Sequence, residues 1–136
     1  YYVVAYSNNL NQYEVVDIYL KNGDKNYTIK ALRGAIEMKI DECLLEKENV
    51  VNDIAKLVEN LETDSRLDDS HSYDETGKSK THWVTYWFGK IYESDYLAIE
   101  CMQWSKYIKD KDGFDDNLTI SLTTKEIDDW FASGYK

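Results

Sequence analysis

The sequence predicts a single α+β domain: a mainly antiparallel sheet, an amphipathic helical middle segment and a C-terminal helix packed on the sheet. Three observations carry this. The aromatic residues, twelve Tyr, four Trp and three Phe, all lie outside residues 28–72, and most of them follow that stretch. Within the aromatic-free stretch, apolar residues recur at the three- and four-residue spacing of a helix face. Beyond it, aromatic and β-branched residues gather in short runs separated by turn-forming residues, as strands do. At 136 residues the chain lies within the one-domain range and can bury a core without help from metal or disulfide.

Taken in order, residues 1–7 (YYVVAYS) read as a strand closed by the turn-like Asn8-Asn9. Tyr13–Leu20 suits a strand through Val15, Val16, Ile18 and Tyr19, although Leu10, Tyr13, Val16 and Leu20 also fit a helix ending before Gly23; strand is preferred. From Ile29, the stripe Ile29, Leu32, Ile36, Ile40, Cys43 and Leu44 predicts a helix. Its competitor is a strand, because Ile36, Met38 and Ile40 alternate with charged residues and Gly34 weakens a helix by about 1 kcal/mol relative to Ala. After the polar patch Glu46–Asn49, the residues Val50, Val51, Ile54, Leu57, Val58 and Leu61 restart the stripe, with Asn49 available as N-cap. One long helix or two would satisfy this, and a break near residue 47 is preferred because helices longer than about 30 residues are rare.

Residues 63–81 (TDSRLDDSHSYDETGKSKT) are polar and turn-forming, which predicts a long surface loop. His82–Tyr92 and Tyr96–Tyr107 flank Glu93-Ser94-Asp95 and predict a hairpin, aromatic on both faces of its first strand. Leu118, Ile120 and Leu122 supply a third strand. Thr123 and Glu126 then have capping-box spacing, Leu122 and Ile127 sit at staple positions, and Ile127, Trp130 and Phe131 form a buried stripe before Gly134. Trp83, Trp87, Trp104, Trp130 and Phe131 are expected to build the main core between sheet and C-terminal helix.

Few chemistries survive inspection of the residues. Cys43 and Cys101 match no metal or redox spacing and read as two reduced, buried thiols. His71 and His82 are isolated, and the Asp110–Asp116 run with Gly113 lacks the bidentate Glu of a calcium loop, so neither metal nor cofactor is expected. A Cys101/His82 pair across the hairpin has no third orienting group. Glu37-Met38-Lys39 spells the E-x-K of Mg²⁺ nucleases, but a formal net charge of -10 would repel nucleic acid and anionic membranes alike. No apolar run approaches the roughly 20 residues that span a bilayer. No secretory signal is visible, so a cytoplasmic, soluble protein is expected, with removal of a segment before Tyr1 left open.

What remains is a surface. Residues 82–109 carry three basic and three acidic side chains, whereas residues 110–136 carry three basic and seven acidic. Asp110, Asp112, Asp115 and Asp116 crowd one predicted loop, and Asp68 and Asp69 lie in another. Tyr86, Tyr92, Tyr96, Tyr107 and Tyr135 are of the type enriched at protein interfaces. Small size, acidity, tyrosine and missing catalytic motifs together resemble the profile of bacterial immunity proteins, which neutralise a toxin domain encoded beside them. That resemblance implies a stoichiometric inhibitor of a basic toxin, most simply a nuclease domain. Asp110, Asp112, Asp115 and Asp116, with Asp68 and Asp69, would pair with its Lys and Arg, and Tyr107 would sit at the desolvated centre. Two alternatives stand beside it: a small-ligand binder or enzyme with a pocket lined by Trp87, Trp104 and His82, and an adaptor or self-associating subunit.

Overall fold

The computed structural model describes residues 1–6 and 13–134, with backbone alone for residues 2–6; the Asn8-Asn9 turn, Leu10 and Tyr135 lie outside the described residues. In chain order the elements are β1 (Tyr2–Tyr6), β2 (Val15–Leu20), β3 (Ile29–Glu37), α1 (Ile40–Leu57), β4 (Glu62–Ser70), β5 (Lys80–Trp87), β6 (Tyr96–Gln103), α2 (Lys106–Asp112), β7 (Asn117–Thr123) and α3 (Lys125–Ala132). The strands form one antiparallel sheet in the order β1-β2-β3-β7-β6-β5-β4. Two meanders, β1 to β3 and β4 to β7, thus meet where β3 pairs with β7. α1 carries the chain from the middle of the sheet to its far edge. The fold is α+β, with the C-terminal helix the sequence predicts.

α1 lies across β6 and β7 and buries an aliphatic core. Cys43, Tyr86, Ile99, Cys101 and Leu118 are its buried members, with Ile36, Val50, Val51, Ile54, Val84 and Ile120 packed against them. The tryptophans are not there. They sit on or beside the opposite face, and Tyr86, one of the five tyrosines of interface type, is buried with its hydroxyl donating to the Val51 carbonyl at 3.3 Å. The thiol reading is also corrected: Cys43 and Cys101, both fully buried, form a disulfide that ties α1 to β6. Residues 58 apart in sequence had no reason to be assigned as neighbours until helix and sheet were placed.

Four element assignments change, one of them where the predicted strand Tyr96–Tyr107 stops at Gln103 and Lys106–Asp112 forms α2. Residues 29–37 are strand, not helix, because β3 is paired on both sides, to β2 and β7; the alternation of Ile36 with charged residues was the truer signal. Gly34 is buried there, and a Cβ on it would stand 2.7 Å from the Tyr13 ring. α1 runs through residue 47 without a break. Lys47 takes the inward position between Cys43 and Val50, and its stem is buried while Glu46, Glu48 and Asn49 face out. The polar run 63–81 holds all but the first residue, Glu62, of β4, an edge strand whose mostly exposed residues had no core face to write into the sequence.

The C-terminal helix is correctly placed but differently capped. Thr123 ends β7 and the N-cap is Thr124, whose side chain makes no capping bond. Asp95, from the β5–β6 connection, instead accepts the Lys125 amide at 2.8 Å. Glu126 turns away from the cap and binds Lys21, Lys30 and the Tyr1 hydroxyl at 2.6, 2.7 and 2.9 Å. Among the described residues no helix is long and apolar enough to cross a membrane.

Candidate functional site

Among the described residues, the sheet face opposite α1 is covered only at its ends. At one end α3 lies over the row containing Ala31, Thr123, Tyr96 and Trp87: Ile127 is fully buried, the Tyr96 hydroxyl donates to Asp128 at 3.0 Å, and Trp87 packs on Tyr96 and Tyr92. At the other end the chain leaving β6 sets Trp104 against His71 and Phe114, with ring centroids 4.7 and 5.0 Å apart. Between the two ends lies a concavity of about 700 Å³, within the range typical of binding pockets.

Strand register builds its floor. One cross-strand row runs Val15, Ala35, Thr119, Glu100, Trp83, Arg66, and the next contains Glu37, Asn117 and Met102 with Thr81. Small side chains at Ala35 and Thr119 leave room in the middle of the sheet, while Trp83 and Met102 rise beside them. The far wall depends on a tight polar turn at 71–79. Asp74, buried, accepts from Thr76 and from both the amide and hydroxyl of Ser79 at 2.7 to 2.9 Å, and the Ser79 hydroxyl accepts the Ser105 amide at 2.9 Å. Burial opposes ionisation of Asp74, but the Ser79 and Thr76 hydrogen bonds outweigh it and hold the carboxyl far below the usual range. That network fixes the turn bearing His71 to the start of α2. Ser105 in turn caps α2 by accepting the Ile108 amide, and Gly113, at φ 71°, turns the chain out of the helix towards Phe114.

The lining is acidic. Glu14, Glu37, Asp69, Glu100 and Asp115 face one guanidinium, Arg33, and Asp17 already binds Arg33 through Nε and Nη2 at 2.9 and 2.6 Å. Glu100, in the middle of the floor, has no hydrogen bond or ion pair among the described residues. Protein atoms crowd it even though the concavity opens onto it, and this burial raises its pKa, with Arg33 partly opposing. Asp69 is shifted the other way by the Trp83 indole, which donates at 3.3 Å, and by Arg66. Burial pushes the His71 pKa down, against a smaller opposite pull from Asp74.

Of the residues singled out from sequence, Asp69 and Asp115 converge on this concavity. The others scatter. Asp110 pairs with Lys106 on the exposed side of α2, and Asp112 ends that helix, so the predicted Asp-rich loop is partly helical. Asp116 is a structural carboxylate that accepts the Trp104 amide and pairs with Lys109, both at 2.8 Å. Tyr107 is half exposed on α2, with Lys111 Nζ 5.5 Å from its ring centroid. Asp68 is exposed at a β4 irregularity, with φ 53°, where its amide donates to His82 Nδ1 at 3.2 Å. The predicted pocket trio is corrected as well. Trp104 lines the concavity and Trp83 takes the place of Trp87, which lies under Tyr92 and Tyr96. His82 points to the α1 face opposite Cys101, whose disulfide removes the nucleophile of a Cys/His pair.

Sequence reasoning missed Glu100 although a signal was present. It is the one charged residue in the apolar run 96–102 (YLAIECM), and the alternation puts Leu97, Ile99 and Cys101 in the core and Glu100 on the other face. No known family, curated protein or solved structure matches the chain.

Proposed function

We propose that this chain is a protein-binding inhibitor of the immunity type, and that it engages a basic partner through the acidic, aromatic-walled concavity opposite α1. The observation that carries the reading is the excess of negative charge around walls formed by Trp83, Trp104 and Phe114: five carboxylates line the concavity, against Arg33, which Asp17 already binds, and Arg66, which pairs with Asp69. An excess of negative potential in a concave, partly desolvated face attracts and orients a cationic protein surface, and aromatic walls supply contact area at low entropic cost. The substrate-binding face of a toxin nuclease domain is the simplest partner of that chemistry. Relative to the sequence reading of Asp110, Asp112, Asp115, Asp116, Tyr107, Asp68 and Asp69, the proposed contact narrows to Asp69 and Asp115 and adds the indoles. The fully buried Cys43–Cys101 bridge favours an oxidising compartment over the cytoplasm.

The test uses the protein encoded beside this chain. Stoichiometric binding and inhibition are expected, with association slowing as ionic strength rises. Asp69→Asn combined with Asp115→Asn is expected to weaken binding at least tenfold, whereas Asp110→Asn should change little. Binding that ignores salt and both acidic substitutions would overturn the reading. A pocket of this volume also suits a small ligand, and retention of one through purification under native conditions would favour that second reading.

A further inference from the structure

We infer that the concavity is a socket for a guanidinium group, supplied by an arginine on a protruding segment of the protein partner, with Glu100 as the counter-charge on its floor and Trp83 and Trp104 as its walls. The inference rests on the inhibitor reading for the source of the arginine, but not for the chemistry of the socket. Glu100 is the starting point. A carboxylate on β6, an interior strand of the seven-stranded sheet, crowded by protein and without hydrogen bond or ion pair among the described residues, is costly to hold ionised. Arg33 opposes this only in part, and Asp17 already engages it. A cation entering from the open side would relieve the cost, and the concavity gives it the route.

The surroundings select the kind of cation. Trp83 stands directly across from Glu100 in the β5–β6 register, and Trp104 closes the end of the concavity with Phe114 behind it. Indole faces attract cations, and a planar guanidinium can stack on an aromatic face while donating two parallel hydrogen bonds to a carboxylate. A lysine ammonium lacks that planar fork and is more strongly hydrated, so it gains less on entering. Asp115 at the lining extends the negative field outward, with Asp69 partly offset by Arg66, and the volume of about 700 Å³ admits an arginine together with part of the backbone that presents it.

The probe is Nα-acetyl-arginine methylamide, titrated into the full chain while the indole N–H signals are followed by NMR. Its neutral isostere, the corresponding citrulline compound, is titrated in parallel. Saturable shifts are expected at Trp83 and Trp104, with Trp130 unmoved, and affinity at least tenfold lower for citrulline and for Glu100→Gln. The E100Q chain should fold normally and resist urea better than the parent at pH 7, since it removes a carboxyl whose ionised form burial disfavours; that keeps loss of binding distinct from loss of structure. Equal shifts with citrulline, shifts that survive E100Q, or shifts confined to other residues overturn the socket. If the neighbouring-encoded protein is inhibited while the probe fails, the socket is wrong and the inhibitor reading stands. If the probe binds but that protein does not, the site serves a free guanidino ligand and the partner arginine is overturned.

Discussion

Removing the Cys43–Cys101 bridge by substituting both residues with Ala isolates one large contribution to stability. The bridge closes a loop across a sequence separation of 58. In the chain-entropy treatment, a loop of about 58 residues costs the unfolded state roughly 14 cal/mol/K, or about 4 kcal/mol at 25 °C. Both sulfurs are fully buried, so the small voids left by Ala add roughly 1 kcal/mol. Against a total of about 5–15 kcal/mol for a domain, the loss is a large fraction. The assay is urea unfolding followed by tryptophan fluorescence, on the parent chain, the double variant and the parent equilibrated with reductant in urea. With a slope of roughly 1.5 kcal/mol/M, the midpoint of the double variant should fall by about 3.3 M. The slope itself should rise, because an uncrosslinked unfolded chain exposes more surface. Reduced parent and double variant should differ only by the packing contribution. Coincident midpoints for oxidised and fully reduced parent, with two free thiols confirmed by titration, would refute the reasoning.

Two further outcomes follow from local geometry. Gly34→Ala places a Cβ 2.7 Å from the Tyr13 ring, so thermal unfolding should show a loss of about 1–3 kcal/mol as the ring is displaced; an unchanged midpoint would mean that Tyr13 moves freely. Hydrogen bonds from Lys21, Lys30 and Tyr1 lower the Glu126 pKa to about 2. A depressed carboxylate contributes stability above its unfolded value, near 4.5, and loses it as pH falls towards the folded value. Glu126→Gln should therefore destabilise the chain at pH 7, and its difference from the parent should shrink between about pH 4.5 and 2. A difference that persisted unchanged at pH 2 would rule out the ionised cluster as its cause.

Much of the fold was legible because some residues report their own neighbourhood. The β5–β6 hairpin and β7 follow from period-two runs bounded by turn-formers, and α3 from its apolar stripe, signals that need no distant partner. β4 was illegible for the opposite reason. An edge strand exposed on most of its length carries no alternation, so only its pairing with β5 defines it. The 29–37 segment satisfied two periods at once, and the flanking β2 and β7 chose between them. For the candidate site, the abundance of carboxylates was visible in the composition, but their useful members were not. Asp69 and Asp115 are 46 positions apart and meet only because β4 and the segment after α2 border the same concavity.

The sequence by itself determined the class of fold, the acidity, the late strands and the final helix. Each is a property of composition or of a spacing within one element. Tertiary structure alone decided that Cys43 meets Cys101, that α1 takes one sheet face, and that among the described residues the middle of the other stays open with Glu100 unpaired on its floor. Those are contacts between distant segments. They depend on strand order and register, and a one-residue slip would carry Glu100 into the core and its neighbours Ile99 and Cys101 into the concavity.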